Sequence, residues 1–130
     1  MATTVDGPRQ SRFSAAADYS AKQYFIVKQS GDATATLASA ATDWLLGVIM
    51  NAPKSGENVE VFGRQGGGTG KVILGTGGAT RGSFLTADSA GKAVMTTTIG
   101  DEVLGRAIQT GDAGDIIEFI PSSQRFAALA

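Results

Sequence analysis

A repeat at a spacing of 58 residues constrains the fold of this chain more than any other feature of its sequence. Ile26-Val27 in the first half is matched by Phe84-Leu85, and Leu46-Gly47 is matched by Leu104-Gly105, each 58 positions further along. Other pairs that match at this spacing are Ala35 and Ala93, Leu37 and Met95, Asp43 and Asp101, Gly56 and Gly114, Val59 and Ile117, and Val61 and Phe119. The order and the inside/outside parity of the matches indicate an internal duplication.

Each half consists of short apolar segments separated by turn residues, which is typical of β-structure. The run at 23–29 contains Tyr24, Phe25, Ile26 and Val27 and stops at Ser30-Gly31-Asp32. The predicted strands are 23–29, 33–38, 44–50, 59–61, 71–74, 83–87, 92–98, 103–109 and 116–120. Two such halves predict an all-β fold, a small β-barrel or β-sandwich that leaves few exposed sheet edges.

The predicted β domain covers residues 23–121, with halves of about 23–63 and 82–121 joined by a Gly-rich hairpin or loop. Residues 1–22 have no sustained period of 2 or 3.6 and are predicted to be a flexible N-terminal arm, with a short helix over 14–22 as the alternative. Residues 122–130 are predicted to be a C-terminal tail.

The chain contains neither Cys nor His, and their absence restricts the catalytic mechanisms and metal sites that are open to it. Without Cys there is no disulfide, thiolate nucleophile or zinc–sulfur site, and without His there is no Ser–His relay and no imidazole ligand. Only a mechanism based on carboxylates, Lys, Tyr or Ser/Thr would remain. We therefore expect no enzymatic activity, no metal and no cofactor.

The Gly-rich centre of the chain does not form a nucleotide-binding motif. A P-loop needs a Gly five residues before its Gly-Lys pair and a Ser or Thr after it. Here Gly70-Lys71 is preceded by Gln65 and followed by Val72. A hairpin loop is the favoured interpretation.

The carboxylates lie at turns. Asp43 and Asp101 occupy equivalent turns of the two halves, and Asp112 and Asp115 bracket Gly114. Asp beside Gly usually accepts hydrogen bonds from its own turn, so turn formation is favoured over calcium binding or acid–base catalysis. An enzyme that pairs Asp43 with Asp101 is the one catalytic alternative.

The charge balance indicates neither a nucleic-acid nor a membrane partner. The chain has 11 basic and 12 acidic residues, and its net charge is −1.

Residues 1–6 lack the features of a signal peptide, and the longest apolar run, 44–50, is too short to span a bilayer. We expect a soluble protein that is made without secretion.

The candidate interaction residues lie near the two termini. The arm carries Pro8, Arg9, Arg12, Phe13 and Tyr19. Arg and aromatic residues supply much of the binding energy of interfaces, so these five residues are the candidate anchor to a partner.

The C-terminal tail contributes a second set of candidates. Arg125, Phe126 and Leu129 are predicted either to pack on their own domain or to contact a neighbouring subunit.

Four segments together resemble a known family. They are Leu46-Gly47 to Val61, Leu104-Gly105-Arg106-Ala107 to Phe119, Ser83-Phe84-Leu85-Thr86-Ala87-Asp88, and Gly91-Lys92-Ala93-Val94. In these segments the chain resembles the small capsid decoration (cement) proteins of tailed bacteriophages, of the lambda type or a related decoration family. The resemblance covers about residues 23–121.

This resemblance implies a β-tulip-like barrel that forms a homotrimer at local three-fold positions of the expanded head. The implied partners are the major capsid protein of the same phage and further copies of the chain, and no cofactor is implied. The protein would be made in the host cytoplasm and located on the outer capsid surface of the virion, where it would stabilise the shell against DNA pressure.

Another virion structural protein, or a glycan-binding β-barrel module, is the alternative. A glycan site would need an exposed aromatic platform. Trp44, the one Trp of the chain, lies in the apolar run 44–50 and is expected in the core.

Overall fold

The β-branched and aromatic segments of both halves form strands, so the all-β prediction is confirmed. The computed structural model describes residues 9–63 and 68–125, and within these ranges it contains ten strands and no helix. The strands are β1 (Arg9–Ala15), β2 (Ile26–Gly31), β3 (Thr34–Leu37), β4 (Leu45–Ile49), β5 (Asn58–Gly63), β6 (Gly70–Ile73), β7 (Phe84–Ala87), β8 (Ala93–Met95), β9 (Glu102–Ala107) and β10 (Ile116–Arg125).

The first five strands close into a barrel in the order β1-β3-β2-β4-β5. β1 closes it, because it pairs in parallel with β3 and antiparallel with β5. Residues that fill this barrel alternate with outward-facing ones along the strands. The buried set is Ala15, Tyr19, Val27, Ala35, Ile49, Val59 and Val61.

The last five strands form a sheet in the order β6-β10-β9-β7-β8. Its two edges also approach each other, since a parallel bridge joins Leu74, just after β6, to Ala93 in β8. The matching bridge of the first barrel joins Ala15 to Ala35. The second sheet therefore curls into the same arrangement, and we call it the second barrel.

Strand registers repeat between the two barrels at the predicted spacing. Val27 lies opposite Gly47 in the first barrel, and Leu85 lies opposite Gly105 in the second. The register Ile49–Val61 is likewise repeated by Ala107–Phe119. The 58-residue repeat thus extends from sequence to hydrogen-bond pairing.

A backbone contact explains why glycine occurs at the matched positions 47 and 105. A Cβ atom on Gly47 would overlap the carbonyl oxygen of Phe62, and one on Gly105 would overlap that of Ile120. Both glycines are central in their strands, where the neighbouring chain comes too close for a side chain.

The expectation of an arm over 1–22 does not hold for the part that the structure describes. Residues 9–15 form β1 inside the closed barrel, and Ala15 and Tyr19 are buried. A register shift between Gln10 and Phe13 breaks the alternation that marks a regular strand, which is why the strand is invisible in the sequence. The helical alternative for 14–22 is wrong, because turns follow β1.

The second half also extends beyond its predicted boundaries. It begins at β6, inside the stretch expected to be a Gly-rich connection, and residues 122–125 continue β10 instead of starting a tail. Pro121 is tolerated within β10 because the register with β9 shifts between Pro121 and Gln124. The described units are therefore 9–63 and 70–125.

Candidate interaction surface

The outer face of the first barrel is buried against the second barrel. Ile26, Val48 and Phe62 lie side by side on β2, β4 and β5, and they are 0%, 0% and 5% exposed. They belong to the same apolar cluster as the interior of the second barrel. This triad forms the joint between the two barrels.

The second barrel covers the triad at two points. The Phe62 ring meets the Phe119 ring edge-on, with centroids 6.0 Å apart. The backbone N–H of Ile26 donates to the carbonyl oxygen of Gly91 at 2.7 Å, in the hairpin between β7 and β8. Apolar burial and a backbone hydrogen bond together fix the two barrels.

On the equivalent face of the second barrel, Arg106 and Ile120 are exposed and Phe84 is half-buried. Phe84, Arg106 and Ile120 are paired across β7, β9 and β10 in the register of the first triad. Ile120 is 50% exposed, and the Arg106 guanidinium lies 4.4 Å from the Phe84 ring centroid. Ile116 is exposed on the same side of β10. We call Phe84, Arg106, Ile116 and Ile120 the distal face.

Exposed apolar side chains beside a stacked arginine are typical of protein interfaces. Sequence reasoning missed the distal face, although a signal for it exists. Where the first half has Val48, the second half has Arg106, so the repeat loses its apolar character at the position that changes from buried to exposed.

Among solved structures, the chain is similar to the crystal structure of the head fiber gp8.5 N base in bacteriophage phi29. The TM-score is 0.65 with 19% sequence identity, over 89% of this chain and 95% of that chain. This chain has the fold of that head fiber base. No protein-family model matches, and no curated protein matches.

The resemblance to phage head proteins is thereby confirmed in fold. The match is to a head fiber base and does not point specifically to lambda-type decoration proteins. It covers both barrels, whereas the resemblance in sequence began only at residue 23.

Two of the five predicted anchor residues, Phe13 and Tyr19, pack in the first barrel. Pro8 lies outside the described residues, and Arg9 and Arg12 lie in β1. Phe13 is half-buried and packs against the core of the first barrel.

Tyr19 is the clearest correction within that set. It is buried, and its hydroxyl group lies 2.9 Å from the Thr36 hydroxyl and accepts the backbone N–H of Leu37 at 3.3 Å. Tyr19 therefore fastens the segment after β1 to β3, and it is unavailable to an external partner.

The predicted subunit-contact residues lie at the end of the described chain. Arg125 is the last residue of β10 and pairs in register with Glu102 of β9. Phe126 and Leu129 lie outside the described residues.

Trp44 is not in the core, contrary to expectation. Its side chain is 60% exposed, and the next residue, Leu45, begins β4 and is buried. Trp44 belongs to the turn led by Asp43, so the alternation places its side chain outside.

The Asp43 carboxylate organises its turn. It accepts the backbone N–H groups of Ser39 and Ala40 at 2.9 and 3.1 Å and pairs with Lys28 Nζ at 3.0 Å. Burial raises the pKa of this carboxyl, but the Ser39 hydrogen bond, the Lys28 contact and the Ala40 hydrogen bond together bring the pKa below its ordinary value. The group is therefore ionised near neutral pH.

Two more of the predicted turn carboxylates accept hydrogen bonds. Asp101 Oδ2 accepts the Thr96 hydroxyl at 2.6 Å, and Asp115 Oδ2 accepts the backbone N–H of Asp112 at 2.9 Å. These contacts are the turn-forming role that the sequence favoured. Over 9–63 and 68–125, no three carboxylates gather into a possible metal site.

In the described part of the chain, no helix has the length and apolar character needed to cross a bilayer.

Proposed function

We propose that this chain is a non-enzymatic phage head decoration protein that binds the outer surface of the expanded capsid. The observation that carries the proposal is the two-barrel fold shared with a phage head fiber base over 95% of that chain. Its partners are the major capsid protein of the same phage and further copies of itself, with neither nucleic acid nor membrane involved.

The physical mechanism is multivalent attachment by a trimer at local three-fold positions. One 13.2 kDa chain can offer only a modest patch to the shell. Three linked patches engage at high effective concentration once the first has bound. Because only one capsomer spacing lets all three engage, the trimer selects the expanded shell and holds it against internal DNA pressure.

The capsid contact is assigned to the N-terminal basic residues. Arg9 and Arg12 remain candidates for the capsid contact together with Pro8. Phe13 and Tyr19 are no longer candidates, because they pack in the first barrel. Arg side chains suit such an interface, since they bind carboxylates through paired hydrogen bonds.

Co-sedimentation with decoration-free capsids of the parent phage tests the proposal, with expanded and unexpanded shells compared. We expect saturable binding to expanded shells alone, at about three copies per local three-fold site. The variants Arg9→Glu and Arg12→Glu should weaken binding, and thermal unfolding of each variant reports whether it is folded. Lys54→Glu, at an exposed turn, is the matched control. Failure of the wild-type protein to bind either shell would refute the capsid role.

A glycan-binding module is the second candidate, because Trp44 is exposed. An exposed indole ring offers an apolar face on which a sugar ring can stack. Trp44 is the one Trp of the chain, so its fluorescence reports such binding directly. Titration with a panel of host-surface oligosaccharides should leave the emission unchanged if decoration is the function, and a saturable change lost in Trp44→Ala would favour the glycan role.

A further inference from the structure

The two barrels are closed differently at the seam where the first and third strands of each barrel meet. In the first barrel two register pairs, at Ser14 and Ala15, join β1 to β3 in parallel. In the second barrel a single bridge, between Leu74 and Ala93, joins the end of β6 to β8. Among the described residues, the seam of the second barrel is therefore held by one strand pair fewer than that of the first.

The backbone of residues 24–26, where the chain enters β2, spans the unpaired part of this seam. The N–H of Ile73 in β6 donates to the carbonyl oxygen of Tyr24 at 3.0 Å. On the other side of the seam, the N–H of Ile26 donates to the carbonyl oxygen of Gly91, just before β8, at 2.7 Å. A segment of the first barrel thus satisfies a donor and an acceptor that would otherwise lie at a strand edge of the second barrel.

Side chains of the same segment also approach the second barrel. Tyr24 packs against the apolar cluster that the two barrels share, and Ile26 belongs to that cluster. The ring centroid of Phe25 lies 5.9 Å from the Nζ atom of Lys92, in the hairpin between β7 and β8. All three residues of the segment are therefore tied to the second barrel.

The backbone of Tyr24 is left-handed, with a φ of 73°, and it serves both barrels. Its N–H donates to the carbonyl oxygen of Ile49 in β4 at 2.7 Å, whereas its carbonyl oxygen accepts the bond from β6. In a regular strand the N–H and C=O groups of one residue point to the same neighbour, so this division fits an irregular backbone. The matched residue of the second half, Gly82, has a φ of 93° and avoids the cost of a side chain in this conformation. A Tyr at this position bears that cost, and its ring packs in the joint.

We propose that residues 24–26 form a latch that completes the seam of the second barrel, and that the latch opens while the rest of the fold stays intact. Opening breaks the cross-barrel bonds of Ile26 and Ile73 together and leaves the strand pairs within each barrel in place, so it costs less free energy than global unfolding. The open state uncovers a strand edge of the second barrel, which is a template for pairing with another chain. The proposal does not depend on capsid binding, so its failure is distinguishable from failure of the proposed function.

Hydrogen exchange of the full chain, followed residue by residue by NMR, tests the latch. We expect the amides of Ile26 and Ile73, corrected for their intrinsic rates, to exchange about tenfold or more faster than those of Ile49 and Leu74. Ile49 donates within the first barrel and Leu74 within the second, so these two controls report openings that do not involve the latch. Exchange of all four amides at one corrected rate would overturn the proposal, as would corrected rates for Ile26 and Ile73 that differ from each other by about tenfold.

Substitution of Gly91 tests the latch from the side of the second barrel. Gly91→Ala places a Cβ 3.1 Å from the carbonyl oxygen of Ile26 at a φ of +82°. Gly100→Ala is the matched control, because its φ is +99° and its Cβ would meet nothing within 4 Å. We expect Gly91→Ala to speed the exchange of the Ile26 and Ile73 amides by about tenfold relative to Gly100→Ala. Equal effects of the two variants would contradict the latch, and the wild-type exchange pattern decides the proposal even if Gly91→Ala does not fold.

Discussion

The ring of Phe62 in the first barrel meets the ring of Phe119 in the second barrel edge-on, with an interplanar angle of 89°. Phe119 belongs to the interior of the second barrel. The ring contact therefore links the joint directly to that interior. The two barrels therefore share one apolar cluster, and a substitution at the joint should lower the stability of both.

Truncation of Phe62 should destabilise the protein far more than truncation at the equivalent exposed position. Phe62→Ala removes a buried ring and leaves a cavity, so we expect the free energy of unfolding to fall by about 3–5 kcal/mol. Ile120→Ala, at the equivalent exposed position, should cost less than about 1 kcal/mol in the monomer. Urea denaturation followed by circular dichroism measures both, and equal losses would contradict the burial of the joint.

Substitution of the two matched glycines should be costly. Gly47→Ala and Gly105→Ala each place a Cβ on a backbone carbonyl, so we expect each to lower the free energy of unfolding by about 3 kcal/mol. Gly56→Ala is the control, because its Cβ would meet nothing within 4 Å although its φ is +82°. That variant should lose only about 1 kcal/mol, the cost of the left-handed backbone. Thermal unfolding of the three variants would disprove the close approach if all lost the same amount.

Asp43 should make stability depend on pH. Because its pKa is lower in the folded chain than in the unfolded one, its contribution is present above the unfolded pKa and is lost as the pH falls through the folded pKa. Asp43→Asn should therefore reduce stability at pH 7 and flatten the decline below about pH 4. Urea denaturation from pH 7 to pH 2.5 measures this, with Asp112→Asn as the control. If the stability of Asp43→Asn fell at low pH as steeply as that of the wild-type protein, the result would contradict the turn contacts of Asp43.

The Tyr19 hydroxyl should be worth about 1 kcal/mol to the fold, because it is hydrogen-bonded in a buried setting. Tyr19→Phe and Thr36→Val remove the two sides of one contact. A double-mutant cycle should then give a coupling energy of about 0.5–1 kcal/mol. Additive losses would show that the segment after β1 is not fastened at this point.

The sequence was sufficient for the repeat, because the interior positions of both barrels require the same kind of residue. Leu46-Gly47 and Leu104-Gly105 are visible at once, since a close backbone approach permits only glycine. β1 was missed because its register shift removes the alternating pattern. Trp44 was placed in the core because a continuous apolar run does not show where a turn ends and a strand begins.

The distal face could not be predicted from either half alone. Ile120 and Phe62 are both large and apolar, and only the packing of the second barrel on the first decides which is buried. The arrangement of two similar domains is a property of their contact, which local patterns do not record. The available signal is that Val48 of the first half is matched by Arg106 in the second half. It is visible only when the two halves are compared position by position.

The shared joint also affects how the chain is made. The strands of the first barrel have all been synthesised by Gly63, whereas the residues that cover Ile26, Val48 and Phe62 begin at β6. A nascent chain that folds its first half therefore presents an uncovered apolar face until the ribosome has released the second half. Slow translation after Gly63 would prolong that interval and favour aggregation of incomplete chains, so the yield of folded protein should depend on the rate at which residues 70–125 are made.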